Sequence, residues 1–184
     1  YTGTFGRING VSYLIRMAAE LKNDKQIYFL TVGDGQEFDS VKELAIELGC
    51  LGHNLKMLAS MPKAEIYDVL AAADVATSLV IPLPELEANS ANKFFDGLSA
   101  GCCMAINHGG WQADLLLSSG AGLQLDSLPK IGALQLQSFI EHKDNVTKAG
   151  QKARLLAEQK FSRDKLTSDL ENILINVHQS SNYT

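Results

Sequence analysis

The amino-acid sequence predicts an α/β fold: a doubly wound parallel sheet with helices on both faces and further helices at the C-terminal end. Three observations predict it. Short β-branched and aromatic runs alternate with amphipathic helical stretches, the runs are apolar throughout, and glycine-rich turns separate the two kinds of segment. Right-handed crossovers between such strands give a Rossmann-like arrangement, in which ligands bind outside the carboxyl ends of the strands.

Six short segments are predicted as strands because they are rich in β-branched, aromatic and other apolar residues: 1–4, 26–33, 54–60, 74–80, 102–107 and 120–125. Helices are predicted in the segments between them: 11–21, 38–48, 61–73, 89–101 and 111–119. Apolar residues recur at helical spacing in 11–21 and 38–48. Gly49 fits the end of the second helix, and Pro62 fits the start of the third. From residue 130 to about residue 178 only helical patterning occurs. It is interrupted at 161–164, where Ser162 is expected to cap the last helix.

Composition narrows the function classes. The 184 residues are 46% hydrophobic, enough for one good core, and the net charge of −5 argues against nucleic acid as the main partner. No apolar run approaches the roughly 18 residues that a membrane helix needs. The three cysteines have no zinc-site spacing, so we expect thiols packed as small apolar groups in a reducing cytoplasm. The sequence starts without Met and inside a strand-like segment, so we expect a piece of a longer protein.

The loop after the first strand carries Gly3, Gly6 and Gly10, with Arg7 among them. Glycines allow a ligand to approach the backbone closely, and the N-terminus of the following helix favours anions. The spacing matches neither the dinucleotide fingerprint nor the Walker loop. A tight turn that needs glycine explains the pattern equally well, and Arg7 could meet a phosphate or simply be solvated.

The loop after the second strand contains Gly33, Asp34 and Gly35, with Glu37 in the first turn of the next helix. A structural turn and helix cap is the preferred interpretation, although Gly33 and Asp34 also lie at the predicted ligand-binding edge.

A long loop, 81–92, precedes the segment "NKFFDGLSAG". Ser90 or Asn92 is expected to cap the helix that follows, and Asp96 is favoured near its N-terminus by the helix dipole. Lys93 opposes the dipole, and an anionic ligand would compensate for that placement. The alternative is a surface lysine whose stem covers apolar neighbours.

The loop after the fifth strand is a Gly-Gly turn that leads into a helix, with His108 expected to face the cleft beside Gly109 and Gly110. A structural role is the more common one for a lone histidine. The sequence contains no nucleophile elbow, no pair of histidines at metal spacing and no isolated pair of carboxylates. This pattern fits a domain that supplies half of a site.

Taken in order, the segments over residues 1–161 resemble the C-terminal, donor-binding domain of a family 4 glycosyltransferase with the GT-B fold. The resemblance is carried by "YTGTFGRINGVSYLIRMAAEL", "IYFLTVGDGQEFDSVKELAIELG", "YDVLAAADVATSLV", "FFDGLSAGCCMAIN", "GGWQADLL" and "GAGL". It implies that a nucleotide-sugar, with UDP as the expected nucleotide, binds between two Rossmann-like domains, and that sugar transfer is retaining. It implies no cofactor and no essential metal, because the nucleotide-sugar is the substrate.

The sequence departs from the family pattern at the positions of two diphosphate-binding cations, which are Thr4 and Asn9 here. The family's second glutamate, which holds the ribose, corresponds to Asp96. The first would fall at Ala88, with Glu85 and Glu87 nearby. The form of this region is similar to bacterial surface-polysaccharide transferases that act on N-acetyl-L-fucosamine.

We therefore hypothesise that Lys93 and Arg7 replace the missing cations, since a buried diphosphate without a cation would be costly. The resemblance then implies a diphosphate site made of Gly3, Thr4, Gly6, Arg7, Asn92 and Lys93, with Asp96 on the ribose. Other expected cleft residues are Gly33, Asp34, Glu87, Ser90, His108, Gly109 and Gly110.

The resemblance also implies the domain organisation. Residues 1–161 would form the nucleotide-sugar-binding domain, and residues 162–184 a helix that packs on an acceptor-binding N-terminal domain of the same protein. We expect a cytoplasmic protein, with any contact at the inner membrane face made through that other half. The alternatives are half of a UDP-sugar epimerase and a non-catalytic Rossmann-like nucleotide-binding module. A signalling receiver domain would need acidic residues at the end of the first strand, where "YTGT" has none.

Overall fold

A computed structural model describes residues 1–181 of the chain; residues 182–184, the end of the predicted segment 162–184, lie outside the described residues. The strands are β1 (Phe29–Val32), β2 (Leu55–Leu58), β3 (Val75–Ser78), β4 (Cys103–Ile106) and β5 (Gly122–Gln124). The helices are α1 (Val11–Glu20), α2 (Phe38–Glu47), α3 (Lys63–Ala71), α4 (Asn92–Ala100), α5 (Trp111–Ser119), α6 (Pro129–Ile140), α7 (Lys143–Lys160) and α8 (Arg163–Ser181). Short 3-10 turns occupy Arg7–Asn9 and Pro84–Ala88.

The strands are parallel, as predicted, but the sheet is divided in two. β1 pairs with β2, while β4 lies between β3 and β5. The predicted first strand, 1–4, is reduced to one bridge between Thr2 and Val32. Gly3 takes a φ of +137° directly after that bridge, which turns the backbone out of the strand direction. The gap between this segment and β3 lies where strand order reverses in a doubly wound fold.

Two apolar clusters occupy the two faces of the strands. Ala105 belongs to one cluster, while Met104 and Ile106 belong to the other, as alternation along β4 requires. The first cluster takes its helical residues from α1, α2 and α6, and the second takes them from α3, α4, α5 and α7. Helices therefore cover both faces, which confirms the predicted fold class.

The C-terminal helices follow the predicted pattern with one difference. The patterning was continuous from 130 to 160, but the structure ends α6 at Ile140 and begins α7 at Lys143. The break lets α6 pack on α1 while α7 packs on α4 and β4. The predicted interruption at 161–164 is present, and the Ser162 hydroxyl accepts a hydrogen bond from the Lys165 N–H at 3.4 Å.

Helix α8 carries Leu166, Leu170, Ile173 and Leu174 at the i, i+4, i+7 and i+8 positions of one face. Their side chains are between 49% and 60% exposed. Within residues 1–181 no helix has the length and apolar character required to cross a membrane.

The cysteines Cys50, Cys102 and Cys103 are buried free thiols, as expected. Burial raises the pKa of Cys102 to about 11 and that of Cys103 to about 12, so both thiols stay protonated at neutral pH.

Candidate functional site

The glycine-rich loop after the Thr2 bridge packs directly on the loop after β3. Gly10 begins α1 with a φ of +54°, and a Cβ atom there would lie 2.9 Å from the carbonyl group of Val80. The Ile81 N–H donates to the Ile8 carbonyl at 3.0 Å. Two of the predicted ligand-binding loops are therefore in contact at the carboxyl edge of the sheet.

The loop after β1 is hydrogen-bonded to the same glycine-rich loop. The Phe5 N–H donates to the Asp34 carbonyl at 2.9 Å, and the Glu37 N–H donates to the Phe5 carbonyl at 2.8 Å. The Asp34 carboxylate accepts from the N–H of Gly35, and Gly33 donates to the Leu58 carbonyl at the end of β2. The turn thus joins neighbouring segments, but the Glu37 side chain makes no cap hydrogen bond, so the predicted cap is wrong.

Helix α4 begins without a side-chain cap. Ala91 holds the cap position and Asn92 is already the first helical residue, so the prediction that Ser90 or Asn92 caps this helix is wrong. Ser90 and Asn92 are both exposed. The N–H groups of the first turn are left at the positive end of the helix dipole, beside the glycine-rich loop.

Lys93 extends from this first turn into the glycine-rich loop. Its Nζ donates to Asn9 Oδ1 at 2.9 Å and to the Tyr1 hydroxyl at 3.2 Å, and it lies 4.9 Å from the Tyr1 ring centre. Its Cε would lie 3.4 Å from a Cβ atom on Gly3. Burial lowers the pKa of Lys93 to about 8. In the described part of the chain no carboxylate lies within 4 Å of Nζ.

Tyr1, Thr4 and Asn9 complete a small polar network around Lys93. The carbonyl of Thr4 accepts from the Tyr1 hydroxyl at 2.6 Å and from Asn9 Nδ2 at 2.9 Å. In the sequence, Asn9 falls at the position of a diphosphate-binding cation that this chain lacks, and Tyr1 falls in a predicted strand. The structure instead makes them the neutral groups that hold the lysine.

Arg7 does not join this network. It lies on the exposed 3-10 turn Arg7–Asn9, and among the described residues it makes no side-chain hydrogen bond or ion pair. Gly6 precedes it as the residue that begins the turn. Lys93 therefore enters the polar network at the glycine-rich loop, whereas Arg7, although part of that loop, directs no side-chain hydrogen bond to it within residues 1–181.

Asp96 lies three residues after Lys93 on α4 and has a different partner. Its Oδ1 is 3.9 Å from the Nζ of Lys63 at the start of α3, and its side chain is partly buried. Lys63 Nζ is also 5.7 Å from the Tyr67 ring centre. The two charges of α4 thus point to separate neighbours, the glycine-rich loop and α3.

The Gly-Gly turn after β4 is packed against the loop before α4. Gly110 has a φ of +82°, and a Cβ atom there would overlap the Glu87 carbonyl oxygen. At Gly109 an added Cβ would lie 3.1 Å from the Glu87 carboxylate. Trp111 Nε1 donates to the Asn89 carbonyl at 3.1 Å. Sequence reasoning found the two glycines but not the tryptophan, whose partner lies 22 residues earlier.

His108 was expected to face the cleft, but its side chain is only 7% exposed. Its Nδ1 carries the proton, because Nδ1 lies 2.8 Å from the Gly109 carbonyl, which can only accept. Nε2 is buried without a partner in the described structure, as are both amide atoms of Gln112. Asn107 donates to and accepts from the backbone of Val80, which joins the ends of β3 and β4.

Within residues 1–181, no group of three or more His, Cys, Asp and Glu side chains is arranged to hold a metal ion. The site offers instead a helix N-terminus, the partly buried ammonium group of Lys93 and a glycine-rich loop that a ligand can approach closely enough for backbone contacts. This combination suits a ligand that has an anionic group at Lys93 and a polar group within reach of Asp96.

Comparison with known proteins gives a family match over residues 1–94, just over half of the chain, to the family described as glycosyl transferases group 1. A curated relative, a probable glycosyltransferase named WbjE from Pseudomonas aeruginosa, is 37% identical over 76 residues, which are 41% of this chain and 18% of WbjE.

Several solved structures share the fold. HepE from Anabaena, in complex with UDP, has a TM-score of 0.76 at 22% identity, over 95% of this chain and 48% of HepE. TarM from S. aureus has a TM-score of 0.77 at 14% identity, over 94% of this chain and 34% of TarM. The C-terminal domain of LpcC from Francisella tularensis has a TM-score of 0.70 at 15% identity, over 89% of this chain and 84% of that domain. The matched segment thus covers about a fifth of WbjE, while the chain spans half or less of HepE and TarM and most of the isolated LpcC domain.

Proposed function

The chain belongs to the glycosyl transferases of group 1, and from that membership we propose that it is the donor-binding half of a retaining glycosyltransferase that uses a UDP-sugar. The shared fold of HepE, which has been solved with UDP and with UDP-glucose, supports UDP as the nucleotide. The similarity to WbjE, a probable glycosyltransferase from Pseudomonas aeruginosa, supports sugar transfer. The role in bacterial surface-polysaccharide synthesis is proposed from the resemblance carried by "GTFGRING" and "NKFFDGLSAG".

The placement of Lys93 is the observation that carries the proposal. A partly buried ammonium group with only neutral partners is unfavourable unless it serves an anion. The uncapped first turn of α4 adds backbone N–H donors at the same place. The UDP diphosphate is proposed to lie between the loop of Gly3, Thr4 and Gly6 and the first turn at Asn92 and Lys93, with Arg7 approaching from the solvent side.

The ribose is proposed to lie one helical turn further along α4. Asp96 is an acceptor that suits two neighbouring hydroxyl groups, and its pairing with Lys63 keeps the carboxylate on the side of α3. The other predicted cleft residues, Gly33, Asp34, Glu87, Ser90, Gly109 and Gly110, would border the nucleotide-sugar; the buried His108 would not.

These groups would stabilise the charge that develops on UDP as the bond to the sugar breaks. Lys93 and the N–H groups of α4 are fixed before the donor arrives, so little reorganisation is needed during the reaction. We propose that the chain does this with no essential metal and no separate cofactor, while the acceptor is supplied from the other half of the enzyme.

Residues 1–161 are proposed as the nucleotide-sugar domain, and α8 as the contact with the acceptor-binding half. The row of exposed leucine and isoleucine side chains on α8 supports this, because such a face gains stability when another domain covers it. We propose that the protein acts in the cytoplasm, because its proposed substrate is a nucleotide-sugar. Any contact with the membrane would be made through the other half.

Calorimetry on the full-length protein tests the proposal. UDP should bind more tightly than GDP or NAD, and Lys93→Met should weaken UDP binding at least tenfold. Lys25→Met is the matched control, since Lys25 is exposed and precedes β1, at the opposite edge of the sheet. An unchanged UDP affinity in Lys93→Met would contradict the proposal that the diphosphate lies at Lys93.

A further inference from the structure

Trp111 contacts the segments on both sides of Lys93. Its Nε1 donates to the carbonyl of Asn89, four residues before Lys93. Its ring stacks on Phe95 at 6.2 Å and 26°, and it meets Phe94 edge-on at 5.8 Å and 72°. The indole therefore connects the start of α5 with the last part of the loop and with the first turn of α4.

The first turn of α4 needs such an anchor because it has no local one. Its cap residue is Ala91, and no side chain closes the first turn. In most helices a capping side chain fixes the direction in which the chain enters the helix. Here the entry is fixed by the tertiary contact from Trp111, together with the packing of Gly110 on Glu87.

The ring packing alone does not account for the position of Trp111. Phe94 is fully buried and Phe95 also contacts Phe161, so apolar contacts hold this region without the indole N–H. Trp111 remains 37% exposed, with its N–H directed to a loop carbonyl. The hydrogen bond is the feature that an apolar core residue would lack.

We propose that Trp111 is a positioning residue: its hydrogen bond to Asn89 sets the entry of α4 and so places Lys93 and the first-turn N–H groups against the donor diphosphate. The inference rests on the proposed function, because it assigns the diphosphate to Lys93. It adds a residue from α5 that acts through another side chain and does not itself contact the diphosphate.

Trp111→Phe tests the inference because it keeps an aromatic ring and removes the N–H. The expected result is an about fivefold weaker affinity for UDP, the size of one ordinary hydrogen bond, with uridine affinity unchanged. In a Lys93→Met background, Trp111→Phe should weaken UDP affinity by less than fivefold, because only the first-turn N–H groups of α4 remain to be positioned. Phe161→Leu is the control: it alters the same ring cluster without touching the Asn89 bond, and should leave the ratio of UDP to uridine affinity unchanged.

The outcomes separate the inference from the proposed function. Lys93→Met alone decides whether the diphosphate lies at Lys93. If Lys93→Met weakens UDP binding, equal losses of UDP and uridine affinity in Trp111→Phe would show a general structural role of Trp111 and overturn the inference. Wild-type UDP affinity in Trp111→Phe, or a full additional loss in the Lys93→Met background, would overturn it as well.

Discussion

Replacing Lys93 by Met should make the nucleotide-free protein more stable while it weakens UDP binding. Lys93 is partly buried among Asn9, the Tyr1 hydroxyl and the glycine-rich loop, and this burial lowers its pKa from 10.5 to about 8. Its charged form is therefore less favourable in the folded state than in the unfolded state. The cost is fully present below pH 8 and disappears as the pH rises from 8 to beyond 10.5.

The shift in the pKa of Lys93 sets the size of the effect. A fall from 10.5 to about 8 corresponds to about 3 kcal/mol, and partial solvent exposure reduces the usable figure to about 1–2 kcal/mol. Methionine has a similar length and no charge, so it should fill the same space without a cavity. For a domain of this size, the melting temperature should rise by about 2–8 °C at pH 7.

Thermal unfolding with and without UDP, at pH 7 and at pH 10.5, measures both sides of this prediction. Lys93→Met should melt higher than the wild type at pH 7, show a smaller difference at pH 10.5, and gain little from added UDP. A charge-assisted hydrogen bond is worth about 1.5–3 kcal/mol, so UDP affinity should fall by about 10- to 100-fold. A lower melting temperature at pH 7 would show that Lys93 stabilises the fold, and the argument from its unfavourable placement would fail. Lys25→Met controls for loss of surface charge.

Three further predictions concern the pH dependence of UDP binding, the role of Asp96 and the close packing at Gly110. The UDP affinity of the wild type should fall as the pH rises above about 8, because the protonated form of Lys93 is the one that binds. Calorimetry at pH 8 in two buffers of different ionisation enthalpy should therefore detect proton uptake on UDP binding. Lys93→Met should show neither effect. Asp96→Asn should weaken UDP about tenfold but leave the affinity for 2′,3′-dideoxy-UDP unchanged, and an equal loss for both would contradict the ribose assignment. In denaturant unfolding, Gly110→Ala should destabilise the protein by at least about 2 kcal/mol more than Gly49→Ala. Both glycines have positive φ, but of the two only Gly110 has a carbonyl oxygen, that of Glu87, where the Cβ atom would lie.

Much of the fold could be predicted because its pattern is local. Apolar periodicity over about a dozen residues located the start of α1 at Val11 and the start of α2 at Phe38. The break between α6 and α7 has no such pattern, because both helices keep the same spacing and only their packing partners differ. The first strand shortened to one bridge at Thr2 for a related reason: sequence does not show where a neighbouring strand stops pairing.

The site was less predictable because its contacts join distant parts of the chain. Lys93 could be singled out by its conflict with the helix dipole, which is a local rule. Its partners Tyr1 and Asn9 lie 92 and 84 residues away, and no pattern in the sequence connects them. Trp111 was missed because its role depends on a carbonyl of the loop before α4.

The spacing of Lys93 and Asp96 on one helix affects how this site can evolve. A rigid helix fixes the separation of the two charges at three residues, a rise of about 4.5 Å, whatever happens in the surrounding loops. Loop residues from 81 to 88 can then vary in sequence, provided that the anchored entry to α4 is kept. An insertion between Lys93 and Asp96 would instead turn one charge away from the other by about 100°. Under the proposed assignment, the groups of α4 that contact the diphosphate and the ribose would therefore be inherited as a unit.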